Sequence, residues 1–411
     1  MIPTPPPPSP ASVDRLCPSC WLTFDVGDVL SVASHDSLRG DPVLGSEERL
    51  RFLPTRFDAH GHALDPMGIP TAELACPHCR RLLPGGFIER EHHILSLVGM
   101  PSSGKTYYLS SLIHELQEQL PTRYGLVFRD GDPTGNRLLN AMKTRLFSAR
   151  EPEEAILAKT AFEGAMYERL PRHGKTVALP RPFVYSLSCP VAEPPLEHAF
   201  ILYDNAGEHF EPGIDLRDSP GALHVAHSDG LMFLFDPTSS LGFRQALNDA
   251  DDPQLKLAGR MDQQDVMMAE MEVRLKRLRG LPADQPVDTP LAVLVGKYDV
   301  WKNLSGAESI TDPAPTGKLD QAILEANSRH TRALLARHAP AFLANAESLA
   351  KQILFFPVSA LGHSPHLLTQ GKEAGMLAPD PSRLKPYQVE IPFLWIISRI
   401  MPDTTPYLFN S

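Results

Sequence analysis

Short apolar runs alternate with amphipathic stretches along most of this chain. Ile94 to Val98, Phe183 to Ser188, Ala199 to Tyr203, Leu231 to Phe235, Leu291 to Val295 and Ile353 to Val358 have the length and composition of buried strands. Tyr124 to Phe128 is a weaker run of the same kind. After the first run, Tyr108, Leu109, Leu112, Ile113, Leu116 and Leu120 recur at three- and four-residue steps, which predicts a helix ended by Pro121. Helical spacing recurs over Thr134 to Phe147, Pro152 to Leu170, Asp262 to Leu278, Leu319 to Arg337, Ala341 to Lys351 and Pro392 to Met401, with a short piece at Pro220 to Ala226. In the Asp262 helix, Val266, Met267, Met271, Val273 or Arg274, and Leu278 are expected on one side, the methionines as core filler. Pro171 to Pro180, with two breakers, and Gly362 to Pro386 read as loops. Strands alternating with helices predict a three-layer α/β domain, a mostly parallel sheet with helices on both faces.

This pattern begins near residue 92 and runs to about 402, followed by a short tail at 403–411. Residues 1–12 are a Pro-rich extended tail. Residues 13–91 differ again: Phe24 to Val32 and Leu50 to Phe57 suit short strands, and they lie between Cys17-Pro-Ser-Cys20 and Cys76-Pro-His-Cys79. Two Cys-x-x-Cys knuckles make a closed four-thiolate zinc site with no open catalytic position. The 55 residues between the knuckles exceed the ~15–20 of a compact ribbon, so the insert must loop out or form its own β elements. A ligand set drawing in His60, His62 or His78, and a redox dithiol, are the competing readings.

Composition narrows the function classes. The net charge is −10, and residues 11–92 carry 8 Arg, no Lys and 12 Asp plus Glu. That is a poor footprint for nucleic acid, so docking to protein or pure stabilisation is expected of the cysteine module. No apolar run reaches the ~18 residues of a membrane span, and the N-terminus lacks the basic and apolar regions of a signal peptide. Paired cysteines with Cys189 left over suit metal ligation in a reducing, cytoplasmic setting.

The chemistry concentrates at the ends of the strands. The first strand leads into Gly99-Met-Pro-Ser-Ser-Gly-Lys-Thr106, the phosphate-binding loop pattern Gly-x₄-Gly-Lys-Thr. Gly99 and Gly104 permit the turn; the loop from Met100 through Pro101, Ser102 and Ser103 to Tyr107 would wrap the phosphates, its backbone N–H groups facing their oxygens except at Pro101, which has none. Lys105 would reach the β- and γ-phosphates, and Thr106 would hold Mg²⁺. The strand Ala199 to Tyr203 ends in Asp204-Asn-Ala-Gly207-Glu208. Asp204 suits a Mg²⁺ water and the Gly207 N–H suits the γ-phosphate. Two later strands end in Gly296-Lys297-Tyr298-Asp299 and in Ser359-Ala360. All four signals fall on the edge where open parallel sheets bind ligands.

That order resembles Ras-like P-loop GTPases over residues 92 to 402. The resemblance implies that Lys297 and Asp299 read guanine, and that Ser359 and Ala360 close the base pocket. More narrowly, the loop, Asp204 to Glu208, Ser228 to Pro237 and the knuckles resemble the bacterial double-GTPase group of conflict systems. The sequence departs from the pattern at Gly296, where Asn is usual, and at Glu208, where Gln is usual. Glu208 or the adjacent His209 would orient the attacking water, unless Glu208 is only an exposed switch residue. Thr176 is the best-placed switch threonine, in an enlarged first switch over about 121–182, and Arg172 and Arg181 flank it. The expected function is Mg²⁺-dependent GTP binding and slow hydrolysis, coupled to a protein partner or activator. A scaffold that binds without hydrolysing, and an ATPase, are the rivals.

Overall fold

Seven strands of this chain share one sheet because their apolar residues fall in register. The computed structural model describes residues 14–157, 166–172, 175–190, 192, 196–204, 223–248, 250–256 and 263–410. The strands are β1 (Glu91–Gly99), β2 (Val127–Asp130), β3 (Phe183–Cys189), β4 (Leu196–Asp204), β5 (Gly230–Phe235), β6 (Leu291–Val295) and β7 (Ile353–Pro357). They lie in the order β7-β6-β5-β1-β4-β3-β2. The β1–β5, β5–β6 and β6–β7 pairs are parallel, while β3 runs antiparallel to both β4 and β2.

The longer helices are α1 (Lys105–Gln119), α2 (Arg137–Ser148), α3 (Gln264–Leu278), α4 (Gln321–His338), α5 (Pro340–Leu349) and α6 (Ile391–Ile400). Register sets which helix covers which face. Phe233, Val293 and Phe355 stand opposite one another across β5, β6 and β7. Side chains alternate along a strand, so these residues share a face, where they pack with Met267, Met271 and Leu275 of α3 and Phe342 of α5. The other face takes α6: Trp395 meets Phe356, and Phe393 meets Phe200 and Phe128. Gly230 permits this approach, since a Cβ there would lie 2.4 Å from Ile396. Each fully buried Phe or Leu contributes about 1.5–3 kcal/mol relative to exposure. The expected α/β architecture, a large mostly parallel sheet flanked by helices, is the one the chain adopts.

Several local expectations are corrected. The helical reading of Pro152 to Leu170 fails where the residues are described: Pro152–Ala155 is a single 3-10 turn and Tyr167–Arg172 is a strand. The loop expected over Pro171 to Pro180 contains the partner strand Lys175–Pro180, so the two form a hairpin. On α3, Val266, Val273 and Leu278 are exposed, and the buried side is Met267, Met268, Met271, Arg274 and Leu275. Arg274 is held there by Glu270, which lets a cation replace an apolar residue on the buried stripe.

By its contacts the chain divides into two compact units, Met1–Glu91 with Arg169–Leu179, and His92–Glu168 with Pro180–Ser411. In the smaller one, the long insert forms short β elements: Leu30–Val32 pairs with Arg51–Phe52 and Leu74–Ala75, and Arg39–Asp41 pairs with Gly45–Arg49. Two buried carboxylates hold it. Asp65 accepts from the N–H groups of Ser34, His35, Met67 and Ile69. Asp41 pairs with Arg80, Nε to Oδ2 2.7 Å, tying the insert to the second knuckle. A buried carboxylate persists in the ionised form only with such partners.

Candidate functional site

The parallel half of the sheet brings four strand ends to one edge. Gly99 closes β1, and no larger residue fits, because a Cβ there would lie 2.7 Å from the Leu234 carbonyl oxygen on β5. The chain then turns through Ser102 (φ +64°) and Gly104 (φ +97°) into α1. Lys105 is buried at the first turn, and its Nζ donates to the carbonyls of Gly99, 2.8 Å, and Met100, 2.9 Å. An ammonium held against the loop's own carbonyls is poised to exchange them for an anion. Gly104, the N-cap residue of α1, has no side chain to cap the helix, so its first N–H groups and dipole favour negative charge.

Next to the loop, Thr106 Oγ1 donates to Asp204 Oδ2 across 3.4 Å. Asp204 is the last residue of β4 and is buried. A hydroxyl and a carboxylate brought together are hard oxygen donors of the kind that hold Mg²⁺, and these two residues fit that ion. Gly207, Glu208 and His209 lie outside the described residues. Thr176 is exposed on Lys175–Pro180, in the segment grouped with the smaller unit. Arg181 pairs with Glu168 at 3.8 Å.

At the far end of the same edge, β6 delivers Gly296 and Lys297. Lys297 takes a left-handed backbone (φ +53°), and its Nζ donates to Asp236 Oδ2, 2.7 Å, and Thr238 Oγ1, 2.8 Å. The place of the expected Asn is tight: a Cβ on Gly296 would lie 3.1 Å from Leu234 Cδ1 and 3.2 Å from the Phe235 carbonyl oxygen, so a neighbour would have to shift by a few tenths of an ångström. The Gly296 carbonyl accepts from the Trp301 indole at 2.8 Å instead. Gly296→Asn is therefore expected to destabilise the chain by about 1–3 kcal/mol through overpacking. A thermal melt that stayed unchanged or rose would contradict that reading.

Asp299 is gripped on both oxygens. Oδ1 accepts from Ser359 Oγ at 2.5 Å, and Oδ2 accepts from Gln254 Nε2 at 3.1 Å. Ala360 is fixed by Ser111 Oγ, which donates to its carbonyl at 2.7 Å. A cleft of about 160 Å³ joins the two ends, lined by Ser102, Ser103, Gly104 and Tyr107 on one side and Lys297, Asp299, Ser359 and Ala360 on the other. Gln254, His363, Pro365, Leu377 and Pro379 complete its wall. No periodicity or motif marks those five; they come from a turn and from the long loop after Ala360. His363 receives the Asp380 N–H on Nε2 and sits with Nδ1 3.1 Å from the Leu361 carbonyl. Burial holds its imidazole below the usual range.

The smaller unit carries a separate centre. The sulphurs of Cys17, Cys20, Cys76 and Cys79 are buried and lie within 4.8 Å of one another. Cys17 and Cys79 are 3.8 Å apart, Cys20 and Cys76 3.9 Å. Tetrahedral zinc with ~2.3 Å Zn–S bonds requires edges of about 3.8 Å. The knuckles share one bonding pattern: the Cys17 N–H donates to Leu22 and the Cys76 N–H to Arg81, at 3.1 and 3.0 Å. Trp21 and Arg80, each after a second cysteine, are both left-handed (φ +53° and +62°). Burial, with the other three thiols around it, pushes the Cys17 thiol well above its ordinary range, so thiolates here call for a cation. The histidine alternatives fall away. His78 contacts the Thr23 carbonyl at 3.0 Å, His62 pairs with Asp58, and His60 is exposed. Cys189 is buried in β3, in the larger unit.

No family model matches the chain. SaeC of Mycolicibacterium smegmatis, named for a proposed role in ESX-1 scaffolding and assembly, is 26% identical over 315 residues, 72% of this chain and 74% of that protein. Among solved structures, the Arl6 BBS3 small GTPase of Trypanosoma brucei with a GppNp analogue matches 76% of this chain and 99% of its own, at 12% identity and TM-score 0.27. Sup35 complexed with GDP is 11% identical at TM-score 0.24; the match covers 66% of this chain and 38% of the Sup35 chain. Scores this low carry no weight for function. Among the described residues no helix is long and apolar enough to cross a membrane.

Proposed function

We propose that this cleft binds GTP with Mg²⁺, hydrolyses it slowly, and couples the nucleotide state to a protein partner. The observation that carries the reading is the single cleft that unites the Gly99–Thr106 loop with Asp299, Ser359 and Ala360. The loop amides and Lys105 would take the β- and γ-phosphates. Asp299 would accept from the guanine N1–H and 2-amine. Thr106 and Asp204 would hold Mg²⁺, which supplies charge neutralisation on the phosphates when bound. Water attacks the γ-phosphorus in line, the bond to the β–γ bridging oxygen breaks, and GDP and phosphate leave. Glu208 or His209 would orient that water, and Thr176 would close on the metal as the first switch. Hydrolysis without an arginine finger is slow, since such a finger supplies ~10³–10⁵ in rate. The similarity to SaeC favours a second reading, a scaffold that binds nucleotide without turning it over. A place in a bacterial conflict system rests on the resemblance to the double-GTPase group.

The test is calorimetry with Mg²⁺-GTP and Mg²⁺-ATP on the full chain. GTP is expected to bind at least about ten-fold more tightly, because adenine would leave acceptors unmatched at Asp299. Lys105→Ala should abolish binding or weaken it at least about 100-fold, the loss of a charged contact to phosphate. Equal affinity for the two nucleotides would end the guanine reading, and an unchanged Lys105→Ala variant would end the phosphate one. Single-turnover hydrolysis then separates the enzyme from the scaffold.

A further inference from the structure

Asp299 already holds a donor that no motif predicts. Gln254 is buried on the turn Pro253–Lys256, and its Nε2 donates to Asp299 Oδ2 at 3.1 Å and to Ser364 Oγ at 3.3 Å. The turn is tied down on both sides. Asp252 Oδ1 accepts from the Gln254 N–H at 2.8 Å, and Asp252 Oδ2 accepts from Ser364 Oγ at 2.5 Å. Three side-chain links thus run from residues 252 and 254 to Asp299 and to the segment after Ser359-Ala360. The side chain of Gln254 lines the cleft itself.

A primary amide –NH₂ and the 2-amine of guanine are the same kind of donor, a planar nitrogen bearing two hydrogens. We propose that Gln254 determines base specificity at this site by competing with the purine 2-amino group for Asp299 Oδ2. The inference rests on the GTP reading of the cleft. Oδ1 stays with Ser359 and keeps a lone pair for the N1–H. Oδ2 is the contested oxygen. A base with a 2-amine displaces the Gln254 amide and exchanges one hydrogen bond for another. A base without one, hypoxanthine, leaves Gln254 on Oδ2, so the carboxylate stays satisfied. Gln254 therefore narrows the preference for GTP over inosine triphosphate, which a bare Asp299 would make wide. Adenine gains nothing from this device, since it brings an acceptor to the N1 position where Asp299 also presents one.

The experiment is a competition of GTP and inosine triphosphate against a fluorescent guanine nucleotide, on wild type, Gln254→Met and Gln254→Ala. The methionine keeps the volume and removes the donors. Both variants should widen the GTP-to-inosine triphosphate affinity ratio about five-fold or more, the size of a coupling between directly contacting groups. Damage to the turn that only loosens the cleft weakens both nucleotides alike and leaves the ratio where it was. An unchanged or narrowed ratio overturns the proposal while leaving the GTP reading intact. Wild type that binds neither nucleotide overturns both.

Discussion

Cys76→Ser is expected to lower bound zinc from about one equivalent per chain to a small fraction of that, and to unfold the smaller unit. Two of the sulphur pairs stand at the edge length of a tetrahedral zinc site, and all four sulphurs are buried within 4.8 Å of one another. Structural zinc in small domains supplies roughly 10–16 kcal/mol of apparent binding free energy, and that binding is folding free energy. Within residues 14–91 its strands are two to five residues long, and its buried apolar residues there, among them Trp21, Phe24, Val32 and Phe87, lie on these short elements and the turns between them, so the unit leans on the metal. The larger unit holds an extended core across β5, β6 and β7, so it should stay folded, and the variant should melt in two steps rather than one. Cys189→Ser, which touches none of the four, should keep its zinc. Metal analysis with a thermal melt decides the matter: a Cys76→Ser protein with full zinc and the wild-type melting profile would remove the assignment.

What the sequence made legible was whatever is encoded by short-range period or by fixed spacing. The apolar runs at Leu231, Leu291 and Ile353 are strands within a residue of their expected bounds, because buried parallel strands have almost no freedom of composition. The Cys-x-x-Cys pairs needed only their internal spacing, and the fold supplied the 55-residue closure. The hairpin at Tyr167–Pro180 was hidden because Tyr-Glu-Arg-Leu continues a helical-looking stretch; a prolyl residue and a glycine made its second half look like loop. On α3 the sequence left Val273 and Arg274 as alternatives, and the apolar one is exposed with Val266, while Arg274 takes the core position through its pairing with Glu270. Asp236 and Gln254 escaped notice for a different reason. They act through long-range side-chain bonds, Asp236 to Lys297 and Gln254 to Asp299 and Ser364, and such bonds leave no trace in local pattern. Gly296 was visible as a departure, but its cause, the neighbouring Leu234 and Phe235 carbonyl, exists only in the packed sheet.

Asp299→Asn is expected to reverse the order of two nucleotides, weakening GTP by about ten-fold or more and favouring xanthosine triphosphate. An ionised carboxylate is acceptor-only, and under the proposed function it faces two adjacent guanine donors. Asparagine keeps one acceptor and adds a donor. Xanthine keeps the N1–H and carries an oxygen at position 2, so it matches the new pair, whereas guanine would set its 2-amine against the new amine. Each unmatched buried group costs about 1–3 kcal/mol, which sets the size of the reversal. The surroundings permit the orientation this needs. The Asn carbonyl takes the Oδ1 position, where the Ser359 hydroxyl donates to it and the N1–H meets it. The amine then takes the Oδ2 position, which the Gln254 amide can meet by turning its oxygen in place of its nitrogen. Ser359 would keep its bond from the Gly362 N–H at 2.8 Å, so the pocket should stay formed and Lys105 should still bind phosphate. The measurement is a competition of GTP, ATP and xanthosine triphosphate on wild type and variant. If GTP and xanthosine triphosphate weaken together in Asp299→Asn, the residue supports the cleft without reading the base, and guanine specificity must come from elsewhere.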